Sequence, residues 1–333
     1  MSKSTHCSRR GFLGTSVAAL TVTGAALGAD ANKTPSPAQP ASGAPAHPAE
    51  PGANGMPYGM LGNVKLSRIL LGGNLVTGCM HSRDLHYVPQ LFRAYVTEEK
   101  IMQTFKLAEE NGINAVFESG GPLVHRYNKE FGGHMQIIPS IHPDVNQSDA
   151  EIKDEIKQKV DSGVPALYVW GVRSDDLIRA DRVDVIAKAV EMAKGFNIPV
   201  GVGGHSLLVP MACEKAKVPC DFYVKTFHAD NYPTATPKEL RKEFFQGKGF
   251  FDNMWCINPE ETAEFMRTVT KPWIAFKVLA AGAIYPRQGF AHAFRNGADF
   301  IAVGMFDFQI KEDCDLVKRV VEMTKDRQRP WRA

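Results

Sequence analysis

The chain has 333 residues, of which 44% are hydrophobic and 23% are charged, proportions ordinary for a globular protein with a large core. Lys3, Arg9 and Arg10 are the only charged residues among the first 28, and removing them from the 39 basic residues leaves 36, equal to the 36 acidic ones. This balance gives nucleic acid or an anionic membrane no long-range reason to bind, so we expect a small-molecule substrate.

The first 29 residues predict export. Ser8-Arg9-Arg10-Gly11-Phe12-Leu13 resembles a twin-arginine signal, and a mildly apolar stretch follows over Leu13–Leu27. The alternative is a membrane anchor, but the stretch carries Gly, Ser and Thr and is short for a span of about 20 residues. We expect a signal peptide over 1–29, a periplasmic or secreted protein, and no membrane contact after export.

Residues 30–56 are rich in Pro, Ala, Gly and Ser and show no hydrophobic period, which predicts a disordered linker. The folded domain is then predicted over 57–333. The six cysteines include no CxxC pair. Cys213 and Cys220 are candidates for a disulfide, although buried free thiols are the favoured interpretation.

From Leu61 onward short apolar segments alternate with amphipathic ones, a pattern typical of parallel strands covered by helices. Eight strands are predicted, over Arg68–Gly73, Ile113–Glu118, Met135–Ile141, Ala166–Trp170, Pro199–Gly203, Asp221–Thr226, Trp273–Leu279 and Phe300–Val303. The clearest helices, some opened by caps such as Thr97 and Asn258, are predicted over Thr97–Asn111, Asp149–Ser162, Arg182–Gly195, Pro259–Thr268 and Lys311–Lys325.

Eight such units over about 270 residues predict an α/β fold of the (β/α)8 TIM-barrel type. An open, doubly wound sheet is the alternative. It is less favoured because no GxGxxG follows the first predicted strand.

Strand alternation predicts which side chains face the barrel interior. If Phe222 and Val224 face the helices, Lys225 points inward, and the same argument turns Lys277 inward from the next strand. Two amines at one height would repel each other and lose hydration, which lowers a lysine pKa and favours the neutral amine that attacks a carbonyl. The alternative is a pair of lysines held by carboxylates.

The carboxyl ends of the predicted strands carry further polar residues at the rim where barrel active sites lie. These are Glu118, His142, His205 and His228, a set that suits a divalent metal such as Zn²⁺, although no HxH or HExxH spacing accompanies it. The alternative for each histidine is an ordinary hydrogen-bonded side chain.

Two glycine turns near the last strands fall where many barrels bind phosphate on backbone amides. They are Ala280–Ile284, with Gly282, and Val303–Met305, with Gly304. The alternative is that these glycines only serve tight turns. A long insertion over His228–Ile257, with an aromatic cluster that includes Trp255, is interpreted as a lid, or alternatively as an extra helix on the side of the barrel.

The first half of the domain resembles the aldo/keto reductase superfamily. The likeness lies in Leu61-Gly62, in the strand Ser67–Gly73, and in Gly112-Ile113-Asn114 before the second strand. It implies a barrel that acts on carbonyl groups with NADP(H), and it places Glu118 where that family has an aspartate. The cofactor contacts are then expected at Asn74, Gly282, Gly304 and Met305.

The second half resembles class I aldolases of the deoxyribose-phosphate type. The likeness lies in Asp221–Thr226, in Phe276-Lys277-Val278, in Gly282 and in Gly297-Ala298-Asp299. It implies that Lys225 forms a Schiff base with the substrate and that Lys277 lowers the pKa of Lys225.

The sequence therefore predicts an exported barrel enzyme that acts on the carbonyl of a small polar or sugar-like compound, resembling the aldo/keto reductases. Its expected catalytic residues are Lys225, Lys277, His228, His205 and Glu118. The alternatives are a Schiff-base lyase, a metal-dependent hydrolase or isomerase, and a solute-binding barrel without turnover.

Overall fold

A computed structural model describes residues 53–244 and 251–333 of the chain. The predicted signal peptide, most of the predicted linker and part of the predicted lid lie outside these ranges. The end of the linker lies inside them, where Ala53–Gly55 form a 3-10 turn and the Met56 side chain is fully buried. The folded part therefore includes residues before the predicted boundary at 57.

A hairpin that the strand pattern did not predict precedes the barrel. Its strands are β1 (Tyr58–Leu61) and β2 (Val64–Ser67), paired antiparallel across a turn in which Gly62 has a φ of +62°. A side chain at Gly62 would place its Cβ 2.7 Å from Pro199 Cγ. Since Leu61 packs with the interior residues of the barrel, the hairpin covers the amino-terminal end of the barrel.

Eight parallel strands close into a barrel in the order β10-β3-β4-β5-β6-β7-β8-β9. They are β3 (Ile69–Gly72), β4 (Ala115–Glu118), β5 (Gln136–Ile141), β6 (Leu167–Val169), β7 (Val200–Gly204), β8 (Phe222–Thr226), β9 (Trp273–Phe276) and β10 (Phe300–Val303). Each coincides with a predicted strand, so the TIM-barrel prediction is confirmed and the open-sheet alternative is wrong. The largest difference is at β9, which ends three residues before its prediction.

Helices cover the outside of the barrel. They are α1 (Gly73–Val76), α2 (Val88–Tyr95), α3 (Glu98–Glu110), α4 (Gly121–Phe131), α5 (Asp149–Asp161), α6 (Gly171–Arg179), α7 (Val183–Lys194), α8 (Leu208–Lys215), α9 (Pro259–Thr268), α10 (Pro286–Arg295) and α11 (Asp307–Met323). Thr97 caps α3 by accepting a hydrogen bond from the Lys100 amide, as predicted. Asn258 makes no such bond to α9, because its side-chain amide donates to Glu261 instead. No helix in the described ranges is both long and apolar enough to cross a membrane.

The predicted orientation of the strand side chains is wrong. Phe222, Val224 and Ile274 lie in the cluster that fills the barrel interior, whereas Tyr223 packs in the larger cluster beneath the helices. Lys225 shares the face of Tyr223 and so points away from the interior. The physical reason is that a strand of a helix-covered parallel barrel is buried on both faces, so apolar residues do not identify the helix side.

Candidate active site

A cavity of about 270 Å³ opens at the carboxyl ends of β3, β4, β9 and β10. Enzymes with this fold have their active sites at that end of the barrel. Mixed polar and apolar side chains line the cavity, including Asn74, Leu75, Cys79, Met80, His81, Phe117, Glu118, Trp255, Phe276, Lys277, Leu279 and Gln309.

Lys277 lies in this cavity although strand alternation alone would turn it away. β9 ends at Phe276, which packs against the interior cluster, and Lys277 then takes the left-handed conformation with a φ of +57°. This conformation costs a residue with a side chain roughly 1–2 kcal/mol. The turn directs the amine into the cavity, so the predicted placement of Lys277 is correct but the predicted cause is not.

The environment of Lys277 favours the neutral amine. Burial lowers the pKa of Lys277 from 10.5 to about 8, against the opposing negative charges of Glu118 and Asp252. The neighbouring lysine that we expected to cause this shift is not among the causes. The amine also lies 4.2 Å from the centre of the Trp255 ring, which fixes its position above an aromatic face.

His81 and Asp252 extend from the lysine as a hydrogen-bonded chain. Lys277 Nζ lies 2.8 Å from His81 Nε2, and His81 Nδ1 lies 3.1 Å from Asp252 Oδ2. Burial, and then the charge of Lys277, lower the pKa of His81, so its ring is neutral at pH 7. We assign its proton to Nδ1, because Asp252 can only accept and the ammonium can only donate. Nε2 is then free to take a proton from the lysine.

Glu118 supplies a carboxylate to the same cavity. It ends β4 with a φ of +78°, and its Oε1 accepts a hydrogen bond of 2.8 Å from Trp170 Nε1. The strained backbone and the indole together hold the carboxylate in place. Glu118 thus lines the cavity, and its catalytic role stays a prediction.

His205 is placed near the cavity without lining it. Its Nδ1 lies 2.7 Å from Asp175 Oδ2, and the fully buried Asp175 also accepts the main-chain amides of His205 and Ser206. The ring packs against Phe276, with 5.4 Å between the ring centres. Asp175 therefore fixes the orientation of a histidine at the rim, in the way a carboxylate orients an acid–base histidine.

Lys225, expected beside Lys277, is bound elsewhere. Its amine donates to His205 O at 2.6 Å, to Thr226 O at 2.9 Å and to Thr226 Oγ1 at 3.1 Å. All three donor positions of the ammonium are thus used, and the side chain is 1% exposed. The structure does not bring Lys225 into the cavity, because it lies on the outward face of β8.

The predicted metal ligands are hydrogen-bonded to other protein groups. His228 Nδ1 bonds the Ala229 carbonyl, and its Nε2 accepts the amides of Trp255 and Cys256, each at 3.0 Å. Burial lowers the pKa of His228 to about 4, which keeps this ring a neutral structural group.

His142 likewise bonds Glu155 through Nδ1 at 2.6 Å and Ser140 through Nε2 at 3.1 Å. In the described ranges no three His, Cys, Asp or Glu side chains are grouped to hold an ion. The residues present therefore do not fit a divalent metal at Glu118, His142, His205 and His228.

Three of the four residues predicted to contact a cofactor, Asn74, Gly282 and Gly304, line the cavity. The fourth, Met305, is a buried core residue on the other side of the turn. Among the described residues of the cavity wall, Lys277 is the only lysine or arginine, and Glu118 opposes it. The described part of the wall therefore offers only one cation to a bound phosphate group.

Sequence reasoning missed His81 and Asp252 and named Trp255 only as part of a lid. These residues come from irregular segments, His81 between α1 and α2 and the other two between β8 and α9. The available signal was the length of both segments, because long loops after barrel strands lie over the active site.

No family model and no curated protein sequence matches the chain. Solved structures do match. A Pseudomonas aeruginosa protein described as an aldo-keto reductase is 14% identical with a TM-score of 0.52, over 80% of this chain and 94% of its own.

Two further matches are more distant. A spore coat polysaccharide biosynthesis protein of Bacillus subtilis is 10% identical with a TM-score of 0.44, over 80% of this chain and 73% of its own. Orotidine 5'-phosphate decarboxylase of Pyrococcus horikoshii is 12% identical with a TM-score of 0.43, over 68% of this chain and 94% of its own. At 14% identity the Pseudomonas aeruginosa match shows the barrel fold alone, and no argument rests on the other two.

Proposed function

We propose that this protein is a Schiff-base enzyme of the lyase type, which acts on the carbonyl of a small polar substrate through Lys277. The observation that carries the proposal is an amine with a pKa of about 8 in a cavity at the carboxyl end of the barrel, hydrogen-bonded to a neutral histidine. A lowered pKa favours a nucleophilic lysine, and because burial lowers the pKa of Lys225 too, it is the position in the cavity that distinguishes Lys277.

The residues around Lys277 support each step of imine formation. The neutral amine attacks the carbonyl carbon, and the proton it loses passes to His81 Nε2, while Asp252 stabilises the imidazolium that forms. The His81 imidazolium then gives this proton to the alkoxide, which forms the carbinolamine. A second proton, taken from solvent, lets the hydroxyl leave as water, and the product is a protonated imine between Nζ and the substrate carbon.

Glu118 is the residue best placed to act on the imine. It lines the same cavity and carries a carboxylate held by Trp170. An imine withdraws electrons from the neighbouring carbon, so a base can remove a proton there or assist cleavage of the adjacent C–C bond. The small volume of the cavity favours a substrate of a few carbon atoms over a large ligand.

The reductase hypothesis, which the sequence favoured, has Asn74, Gly282 and Gly304 at the cavity in its support. The Pseudomonas aeruginosa match contributes likeness of fold only. Because the described wall offers a phosphate group only one cation, which Glu118 opposes, we place this function second. An increase of NADPH fluorescence on titration with the protein would reverse the order.

Borohydride trapping tests the proposal. The full-length protein is incubated with pyruvate, dihydroxyacetone or glyceraldehyde and reduced with sodium borohydride, and the adduct is located by peptide mass mapping. We expect one adduct on Lys277, lost in Lys277→Met and kept in the matched control Lys225→Met. An adduct on Lys225, or none with any of the three compounds, would contradict the proposal.

A further inference from the structure

A second, larger cavity lies on the outside of the barrel, between α10 and α11. It measures about 1,200 Å³, and its lining also includes Ala229, Asn231–Pro233 and Ala283–Tyr285. The loop that follows β9 separates it from the site of Lys277, since Leu279, Ala281 and Gly282 line that site and Ala283–Tyr285 line the outer groove. We call this second cavity the α10–α11 groove.

Three arginines give the α10–α11 groove a positive charge. Arg287 and Arg295 lie two turns apart on α10, about 12 Å along the helix, and Arg319 lies on α11. No Asp or Glu is among the described residues that line the groove. Within 53–244 and 251–333 none of the three guanidinium groups has an ion pair or hydrogen bond, so their charge is available to a ligand.

Two acidic residues near the groove, Asp230 and Asp315, already have ion-pair partners. Asp230 lies next to the lining residues but forms an ion pair of 2.6 Å with Arg241. Asp315 on α11 binds Lys311 at 2.7 Å and Lys318 at 3.2 Å. The positive potential of the groove is therefore not compensated by these neighbours.

The remaining groove residues suit a carbohydrate. Tyr285 is 78% exposed and offers a flat ring face, against which the C–H face of a sugar ring can pack. The side-chain amides of Asn231 and Gln288 can both donate to and accept from hydroxyl groups. A volume of 1,200 Å³ accommodates several sugar rings rather than a single small anion.

We propose that the α10–α11 groove binds an acidic oligosaccharide, whose carboxylates pair with Arg287, Arg295 and Arg319 while one ring stacks on Tyr285. Guanidinium groups bind carboxylates through two parallel hydrogen bonds, which gives such a site orientation as well as charge. The proposal does not depend on the chemistry of Lys277.

The test is calorimetric titration of the full-length protein with tetragalacturonate, with neutral galactotetraose as the uncharged comparison. We expect binding of the acidic sugar only, and an affinity at least about tenfold lower in Arg287→Gln/Arg295→Gln/Arg319→Gln. Arg93→Gln/Lys129→Gln/Lys153→Gln removes the same charge from exposed positions on α2, α4 and α5, and should bind as the unmodified protein does.

Equal affinity in the two triple variants would overturn the proposal, because binding would then follow net charge. Equal binding of the neutral sugar would also overturn it. Tighter binding of an acidic peptide such as hexaglutamate, or concentration-dependent dimerisation lost in the groove variant, would assign the groove to a protein partner and reject the oligosaccharide.

Discussion

At the scale of single residues, two lysines at the ends of neighbouring strands have opposite surroundings. Lys225 stays within regular β structure and its amine is surrounded by oxygen acceptors, whereas Lys277 follows a left-handed turn and reaches an open cavity. The same residue type is therefore structural at one position and a candidate nucleophile at the other. The backbone conformation, rather than the side chain, makes the difference.

Glu118→Gln should lower the pKa of Lys277 further. The negative charge of Glu118 raises that pKa against the effect of burial, so removing the charge leaves burial less opposed. Competitive acetylation followed by mass spectrometry measures the pH at which Lys277 is half reactive. The midpoint should move below about 8 in this variant and stay in place in Glu99→Gln, which changes an exposed carboxylate on α3. An unchanged or higher midpoint would contradict the expected effect of the Glu118 charge on the amine.

Lys225→Met should weaken the fold without removing imine formation. The substitution leaves the buried carbonyl oxygens of His205 and Thr226 without their lysine donor, which costs about 1–3 kcal/mol of the free energy of unfolding. Urea unfolding measures the loss, and borohydride trapping measures the retained reactivity. Unchanged stability together with lost trapping would reverse the roles of the two lysines.

The residues of the site were only partly accessible to sequence reasoning. Glu118 was found because it ends a strand, a position that apolar patterning locates well. Lys225 was misplaced because all five residues of β8 are buried, so burial does not distinguish the interior face from the helix-covered face. His81 and Asp252 lie in irregular segments, where no period relates sequence to direction, so only the folded chain shows that they meet Lys277.

At the scale of elements, the eight barrel strands were predicted because buried parallel strands form short apolar runs between amphipathic helices. The short helix α1 was not predicted, since its four residues make about one helical turn and show no period. The hairpin of β1 and β2 was missed because it precedes most of the alternating pattern on which the strand prediction rested. Inside the barrel, large side chains are accommodated by glycines on adjacent strands. Phe222 on β8 occupies the space beside Gly201 on β7.

Gly201→Ala should therefore destabilise the barrel. The added Cβ would lie 2.3 Å from Phe222 Cε2, and relieving such overpacking costs about 1–3 kcal/mol. Gly121→Ala is the matched control, because its Cβ would meet only Ile137 at 4.0 Å. Thermal unfolding of both variants checks the expectation. Equal stability of the two would show that the interior of the barrel adapts to the extra methyl group.

At the scale of the whole molecule, the carboxyl-terminal segment forms buried ion pairs with the amino-terminal end of the barrel. Asp299, before β10, pairs with Arg327 at 2.9 Å and with Arg329 at 2.8 Å, and all three side chains are at most 1% exposed. Arg68, before β3, donates to Asp299 O at 3.0 Å and lies 4.3 Å from the centre of the Trp331 ring. This network leaves the opposite end of the barrel for the active site.

Asp299→Asn should lower the free energy of unfolding by about 3–5 kcal/mol, since it leaves buried guanidinium groups without their counter-charge. The exposed pair of Lys157 and Asp161 provides the control, and Asp161→Asn should leave stability nearly unchanged. Urea unfolding compares the two. A similar small effect in both would mean that the network contributes no more than a surface pair.

The most direct test of the central claim is the pH dependence of the reactivity of Lys277 itself. Competitive acetylation of the unmodified protein measures the reactivity of Lys277 and of the exposed Lys153 as a function of pH in one experiment. The account predicts half-maximal reactivity of Lys277 near pH 8, well below the ordinary lysine value of 10.5. A Lys277 midpoint equal to that of Lys153 would contradict its assignment as the nucleophile.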